Sequence, residues 1–386
     1  MHLVYCGPFE PDQILNRADF PDLPKGYGGY GNNRLIKKLA AVEDRVTAIS
    51  TSPYIDAEWQ LTVGNLTLHL VPNRARVLHR ALDFFAVEKR LLRRAIREAN
   101  GDLVHAHWSY EFAQAALRVN RSSLITIHDA PVTILRSHRQ VYRIFRLLMA
   151  LSVRSRMRNV TFVSPYLRER WRKEMLWFKK SEIIHNLAPP RGPRRKISDI
   201  SPLQVMASGD DSRRKNMVSL LAAWPSVKSR HSKATLHLTG AGLSVDSDLF
   251  ARAERSGIND GIVWHGFLSR SEIFKLLKSS ELLVHPSLEE STGLILLEAM
   301  SLGVPTLVGK NSGAASWTVG DGGATVNVSD PALLAGAISE LLADRNKLEL
   351  IGKEGFKRAG TEFDEDAIVA AYQEQYRKIY LRNRKS

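Results

Sequence analysis

His285-Pro-Ser-Leu-Glu-Glu-Ser-Thr-Gly-Leu-Ile-Leu-Leu-Glu-Ala-Met-Ser-Leu-Gly-Val-Pro305 decides how this chain is read. The apolar residues 282–284 before it predict a short buried strand, residues 286–292 a loop, and residues 293–302 a helix stopped by Gly303 and Pro305. Glu290 then falls in the loop and Glu298 on the helix. The first backbone N–H groups of such a helix, near Gly293, Leu294 and Ile295, lack intrahelical acceptors and carry the positive end of the dipole, which suits a diphosphate. A carboxylate repels a diphosphate but accepts hydrogen bonds from hydroxyls on either side of one, so a sugar and a ribose fit Glu290 and Glu298. Two isolated glutamates at this spacing would read as solvated residues of an amphipathic helix. Their neighbours change that balance.

The whole pattern, H-P-S-x-x-E-x-x-G-x-x-x-x-E-A-M-x-x-G-x-P, resembles the nucleotide-sugar site of retaining GT-B glycosyltransferases, in particular glycosyltransferase family 4. Ser291 and Thr292 stand where that family usually has Gly and Phe. The resemblance covers nearly the whole chain and is sharpest from Gly266 to Pro305.

With 386 residues, 44% of them hydrophobic, the chain can bury at least two cores. No segment reaches the ~20 uninterrupted apolar residues of a spanning helix and the apolar runs near the start, such as Leu3 to Tyr5, are too short for a signal peptide, so a cytoplasmic protein is expected. The single Cys, Cys6, excludes an internal disulfide framework and is expected to end a buried strand. No Cys/His cluster has zinc-ligand spacing, and neither metal nor cofactor is expected. A net charge of +15 calls for an anionic partner, and residues 1–190 carry 29 Lys and Arg against 17 Asp and Glu. No stretch has the aromatic interleaving of an RNA-recognition motif or a basic helix-turn-helix, so nucleic acid ranks below lipid.

Short apolar runs at residues 3–6, 46–49, 66–71, 103–107, 124–127 and 160–163 alternate with helical patterns, which is βαβ logic. A Pro, Gly and charge cluster predicts a linker near residues 187–200. A second series follows at residues 203–207, 235–239, 262–265, 282–285, 305–308 and 324–326. The fold class is thus α/β: two Rossmann-like, doubly wound parallel-sheet domains, residues 1–190 and 200–365, with a cleft between them that gathers ligands at the carboxyl ends of the strands. Residues 366–382 have helical register. In the resembled family such a terminal helix, here 366–386, packs back on the first domain.

Four further constellations bear on chemistry. Gly28 and Gly29, in a glycine-rich turn before a helical pattern, match a Gly-Gly pair that faces the donor phosphates in the family. Residues 207–216 follow a strand and open a helix. The family's G-R-x-x-x-x-K-G is matched there by Gly209 and Lys215, while Asp210 replaces the Arg and Asn216 the second Gly, leaving Arg213 or Arg214 to supply the missing cation. Phe267 and Leu268 correspond to a segment lining the base pocket. His128, at a strand end beside Asp129, matches a position that reaches the donor sugar, its protonation sensitive to the local field. His105 and His107 alternate on one strand and rank lower.

Residues 135–158 read as one helix carrying Arg136, Arg139, Arg143 and Arg146 as a basic stripe opposite Val141, Ile144, Phe145, Leu148 and Leu151. Together with the basic helix at residues 89–97, and with Arg168, Arg170, Arg172, Lys173, Lys179 and Lys180 near Trp171, Trp177 and Phe178, it suggests peripheral contact with an anionic membrane.

The resemblance implies a metal-independent, retaining hexosyltransferase-type enzyme (EC 2.4) that moves a sugar from a nucleotide-sugar donor to a glycan or lipid-linked acceptor, in bacterial surface polysaccharide or lipopolysaccharide synthesis at the inner face of the cytoplasmic membrane. Glu290 and His128 are its expected catalytic residues. Gly28, Gly29, Gly209, Arg213, Arg214, Lys215, Phe267, Leu268, Gly293, Leu294, Ile295 and Glu298 are expected to bind the donor. The rival readings are a GT-B sugar-nucleotide epimerase and a binding protein on a catalytically decayed scaffold.

Overall fold

Alternate side chains of the first strand, β1 (His2–Cys6), enter two different apolar layers: Leu3 and Tyr5 one, Val4 and Cys6 the other. A strand covered on both faces must be apolar throughout, and that is why such runs stand out in the sequence. A computed structural model describes residues 1–137, 140–200 and 203–384. Its contacts divide them into one unit of Met1–Leu187 with the terminal helix Glu365–Asn383, and a second of Ala188–Asp364.

The first unit holds β1 to β8: β2 (Arg45–Ser52), β3 (Trp59–Val63), β4 (Leu66–Pro72), β5 (Leu103–His107), β6 (Leu124–Ile127), β7 (Asn159–Phe162) and β8 (Glu182–Ile183). Their order is β3-β4-β2-β1-β5-β6-β7-β8. The sheet is parallel except at β3, which pairs antiparallel with β4 across a turn at Gly64 and Asn65, Gly64 lying at φ +59°. This one edge pairing makes the otherwise parallel sheet mixed. Trp59–Val63 is an edge strand with no buried residue, so it lacks the apolar run that marked the others.

The terminal helix packs Ile368, Val369, Tyr372, Tyr376 and Ile379 into the layer that holds Leu3 and Tyr5. The Tyr376 hydroxyl lies 2.7 Å from His105 Nδ1, and Arg34 pairs with Glu365. On the opposite layer, residues 131–154 form two helices, Pro131–Ser137 and Val141–Arg154, where one was expected. The second is turned the other way from its sequence reading. Met149, Ala150 and Val153 are buried, Arg146 pairs with Glu111 at 2.6 Å and lies over the Tyr110 ring, and Val141, Ile144, Leu148 and Leu151 are exposed. Arg139 lies outside the described residues. Trp171 and Trp177 are core residues, the Trp171 indole donating to the Asp129 carbonyl, so of the aromatics expected among the lysines only Phe178 is exposed.

The second unit holds β9 (Gln204–Ser208), β10 (Thr235–Thr239), β11 (Ile262–Gly266), β12 (Leu282–His285), β13 (Thr306–Gly309) and β14 (Gly323–Val326), all parallel, in the order β11-β10-β9-β12-β13-β14. Val205, Ala207, Leu282 and Val284 face one layer, Met206 and Leu283 the other. The stretch expected as a linker, residues 187–200, is anchored at points to the second unit, Ala188 N–H donating to the Phe363 carbonyl and Arg194 pairing with Glu349, while residues 190–193 are exposed. No helix among the described residues is long and apolar enough to cross a membrane.

Candidate functional site

In the second unit the strand order reverses at β9, whose neighbours β10 and β12 come later in the chain on either side of it. The loops leaving the carboxyl ends of β9 and β12 therefore face each other across the crevice where ligands gather in open α/β sheets. Asn216 ties them together. Its backbone is left-handed at φ +55°, its side-chain amide donates to the carbonyls of Pro286 and Val328, and it caps the helix Met217–Arg230. A left-handed residue explains why Gly is usual here and why Asn, which tolerates that region, replaces it.

The joined loops bring Lys215, Arg214, His285 and Glu290 to one point. Lys215 Nζ pairs with Glu290 Oε1, to which Arg214 Nη1 comes within 3.3 Å and His285 Nε2 within 3.1 Å. Glu290 and His285 are both buried. Burial is the largest influence on the Glu290 carboxyl and acts to raise it. The Lys215 charge, the His285 hydrogen bond and Arg214 together overcome that and hold it well below the usual carboxylate range. Burial also lowers His285, against the pull of Glu290. A neutral His285 donates from Nε2 to the carboxylate and leaves Nδ1 an acceptor, which is buried without a partner. His285 entered the sequence reading only as part of the quoted stretch. Its position as the last residue of β12, five before Glu290, was the signal of its role.

The expected anion cradle takes shape around this cluster. Gly293, at φ +83°, precedes the helix Leu294–Leu302, and no side chain caps its first turn, so the amides near Gly293, Leu294 and Ile295 stay available. A Cβ on Gly209 would meet Lys215 Cγ at 3.2 Å, so the glycine lets the lysine lie against the backbone. Of the two candidates for the missing cation, Arg214 joins the cluster and Arg213 is exposed. Asp210 accepts from Ser212 N–H at 2.9 Å in a local turn. Glu298 is buried on its helix and paired with Arg270 at 2.7 Å. Phe267, at the end of β11, is 87% exposed, and Leu268 beside it is half-buried. Among the described residues no group of three His, Cys, Asp or Glu side chains is placed to hold a metal.

The remaining candidates belong to the first unit. His128 follows β6, stacks on Trp108 with ring centroids 4.5 Å apart, and shares a 2.8 Å hydrogen bond with His107. Burial lowers His128 to about 3 and His105 to about 3, and holds His107 well below its ordinary value. These imidazoles are neutral at pH 7, so His128 serves as a polar contact and not as a charged acid. Asp129 leaves it alone, its carboxylate accepting from the Tyr110 hydroxyl at 2.9 Å and being raised chiefly by burial. This corrects the expectation that Asp129 tunes His128.

Gly28 and Gly29 have φ +61° and +93°, and Gly29 precedes the helix Tyr30–Val42. The Gly28 N–H is engaged: it donates to Glu10 Oε1 at 3.1 Å, and Gly26 N–H donates to Glu10 Oε2 at 3.0 Å. Nothing in the spacing of Glu10 announces that the loop after β1 meets the glycine turn.

Two α/β units, one with a largely parallel and one with a wholly parallel sheet, the C-terminal helix belonging to the first, define the GT-B class of glycosyltransferases. Residues 32–189 match the family model Glycosyltransferase Family 4 and residues 194–358 that of Glycosyl transferases group 1, so the chain belongs to the family-4-like GT-B glycosyltransferases. D-inositol 3-phosphate glycosyltransferase of Segniliparus rotundus is 30% identical over 139 residues, 35% of this chain and 30% of that protein. The chain spans less than half the length of the curated relatives it first matches. Sucrose-phosphate synthase from Thermosynechococcus elongatus has the same fold, with a TM-score of 0.76 at 18% identity over 99% of this chain and 100% of that one. So does HepE of Anabaena in complex with UDP and glucose, with a TM-score of 0.69 at 17% identity over 97% and 98%.

Proposed function

We propose that the chain transfers a hexosyl group from a nucleotide-sugar donor to a glycan or lipid-linked acceptor, with retention and without a metal, in the cytoplasm during assembly of a bacterial surface glycan. The carrying observation is the buried Glu290 held ionised between Lys215, Arg214 and His285 beside an uncapped helix start. The complex of HepE with UDP and glucose, whose fold this chain shares, supports the donor class.

In this reading the bond between the anomeric carbon and the departing phosphate breaks as the acceptor oxygen bonds to the same face of that carbon. The acceptor proton goes to a departing phosphate oxygen. A lysine ammonium has three N–H groups, so Lys215 can keep one on Glu290 and turn the others to the diphosphate. With Arg214 and the amides of Gly293 to Ile295 it would stabilise charge developing on the leaving group, the role a metal fills elsewhere. Glu290 then offers its second oxygen to donor-sugar hydroxyls, and Glu298, paired with Arg270, would accept from the ribose.

A panel of nucleotide sugars is tested by thermal shift, since a bound donor stabilises the fold by mass action. A shift with one donor, lost in Lys215→Ala together with transfer, is the expected result. Absence of a shift with every uridine and guanosine diphosphate sugar would defeat the reading, and an altered sugar nucleotide formed from donor alone would replace it with epimerisation.

A further inference from the structure

The helix Val141–Arg154 places Val141, Ile144, Leu148 and Leu151 on one side, and all four are exposed, at 63%, 47%, 44% and 41%. Their spacing of three, four and three residues makes a single apolar ridge, directly opposite the buried Met149, Ala150 and Val153. Packed beside it, the helix Val77–Leu82 exposes Leu78 and Leu82, and Phe84 stacks edge-on against Phe145. A ridge of this kind facing water is unfavourable unless something apolar covers it.

What lies at the end of the ridge selects the cover. Where the helix stops, Arg156 and Arg158 join Arg118 and Arg121 around a hollow of about 320 Å³. A neighbouring hollow of about 280 Å³ shares Arg118 and Arg156 and adds Lys89 and Arg93. Among the described residues none of these six cations is within ion-pair distance of an acid, whereas Arg34, Arg74, Arg94, Arg146 and Arg170 of the same unit all are. Lys89 is lowered by burial and then by Arg93, which outweigh the opposing pull of Asp83, Glu111 and Glu88.

We propose that this face docks on an anionic lipid bilayer, the Val141–Leu151 ridge entering the acyl boundary while the Arg118, Arg121, Arg156 and Arg158 hollow takes headgroup phosphates. Apolar insertion and phosphate pairing are the two attractions that hold a protein at a membrane surface, and here they are adjacent. Arginine suits the second because its planar fork binds phosphate with two hydrogen bonds. The docking needs no donor and does not depend on the transfer reading.

The full chain is sedimented with vesicles of phosphatidylcholine alone, or of phosphatidylcholine with phosphatidylglycerol, at low and high salt. It is expected to sediment with the anionic vesicles only, and to be released by salt. Arg118→Ala and Arg156→Ala should each weaken partitioning about fivefold. Ile144→Ser with Leu148→Ser, at exposed positions that leave the core intact, should weaken it at least as much. Arg172→Ala with Lys173→Ala, a pair that flanks Glu169 on another helix, should leave it unchanged. Equal sedimentation with neutral vesicles, no loss in both the arginine and the ridge variants, or arginine-dependent binding of free glycerol phosphate without vesicle binding would each overturn the proposal. Donor-induced thermal shifts on the same variants keep its failure separate from failure of the transferase reading.

Discussion

Replacing Lys215 by Met tests the site most directly, because the substitution keeps the aliphatic stem and removes one charge. Two effects separate. On the folded protein, Glu290 loses its principal counter-charge but keeps His285 at 3.1 Å and Arg214 at 3.3 Å. Stripping a buried carboxylate of every partner costs about 3–5 kcal/mol, so with two partners left a cost of about 1–3 kcal/mol is expected. The sign with pH follows from the depressed carboxyl. Its contribution is fully present above the unfolded value of about 4.3 and is lost as pH falls through the lower folded value, so wild type and variant should converge in acid. On the reaction, removing one preformed donor to a developing oxyanion lowers kcat about 10²–10³-fold. The assay pairs melting curves at neutral and acid pH with turnover of the donor identified by thermal shift. If kcat stays within about threefold of wild type while the melting point falls, Lys215 only holds Glu290 in place, and the phosphate role assigned to it is wrong.

Other outcomes follow from the same geometry. Glu298→Gln should raise the donor KM about tenfold with little change in kcat, since the ribose is held alike in ground and transition states, and a kcat effect alone would contradict this. Asn216→Leu should destabilise the second unit by about 2–4 kcal/mol through left-handed strain and two lost hydrogen bonds, and Asn216→Gly by less, as denaturant melts would report. Buried neutral His105, lowered to about 3, opposes folding in acid: the unfolded chain binds its proton first, so His105 by itself should cost the first unit about 2 kcal/mol at about pH 5 relative to neutral, a share of the acid loss that His105→Asn should remove. Tyr376→Phe should cost about 1 kcal/mol in melts by removing the hydroxyl beside His105.

The strands were legible because the buried strands of a parallel sheet are short runs rich in apolar residues, set between helical patterns. Residues 103–107, 235–239 and 282–285 coincide with β5, β10 and β12 to the residue. β3 escaped because an edge strand carries no such run, and the direction of the Val141–Arg154 helix escaped because amphipathic spacing tells which residues share a side, not which side turns inward. Arg146 reads as solvated until Glu111 and Tyr110 appear beneath it. Within the site, Glu290, Lys215 and Arg214 were picked out separately, and only the fold showed them converging on one carboxylate oxygen. Glu10 was missed since its partners Gly26 and Gly28 belong to another loop, whereas His285 meets Glu290 only five residues on.

Because the helix Glu365–Asn383 follows the second unit along the polypeptide, the first unit is assembled from two distant pieces of chain. On the ribosome its N-terminal portion emerges with Leu3, Tyr5, Leu35 and His105 still awaiting Tyr372 and Tyr376, while the later unit has all of its own strands in hand. The order of synthesis and the order of completion are therefore reversed, and the portion made first is the last to be sealed.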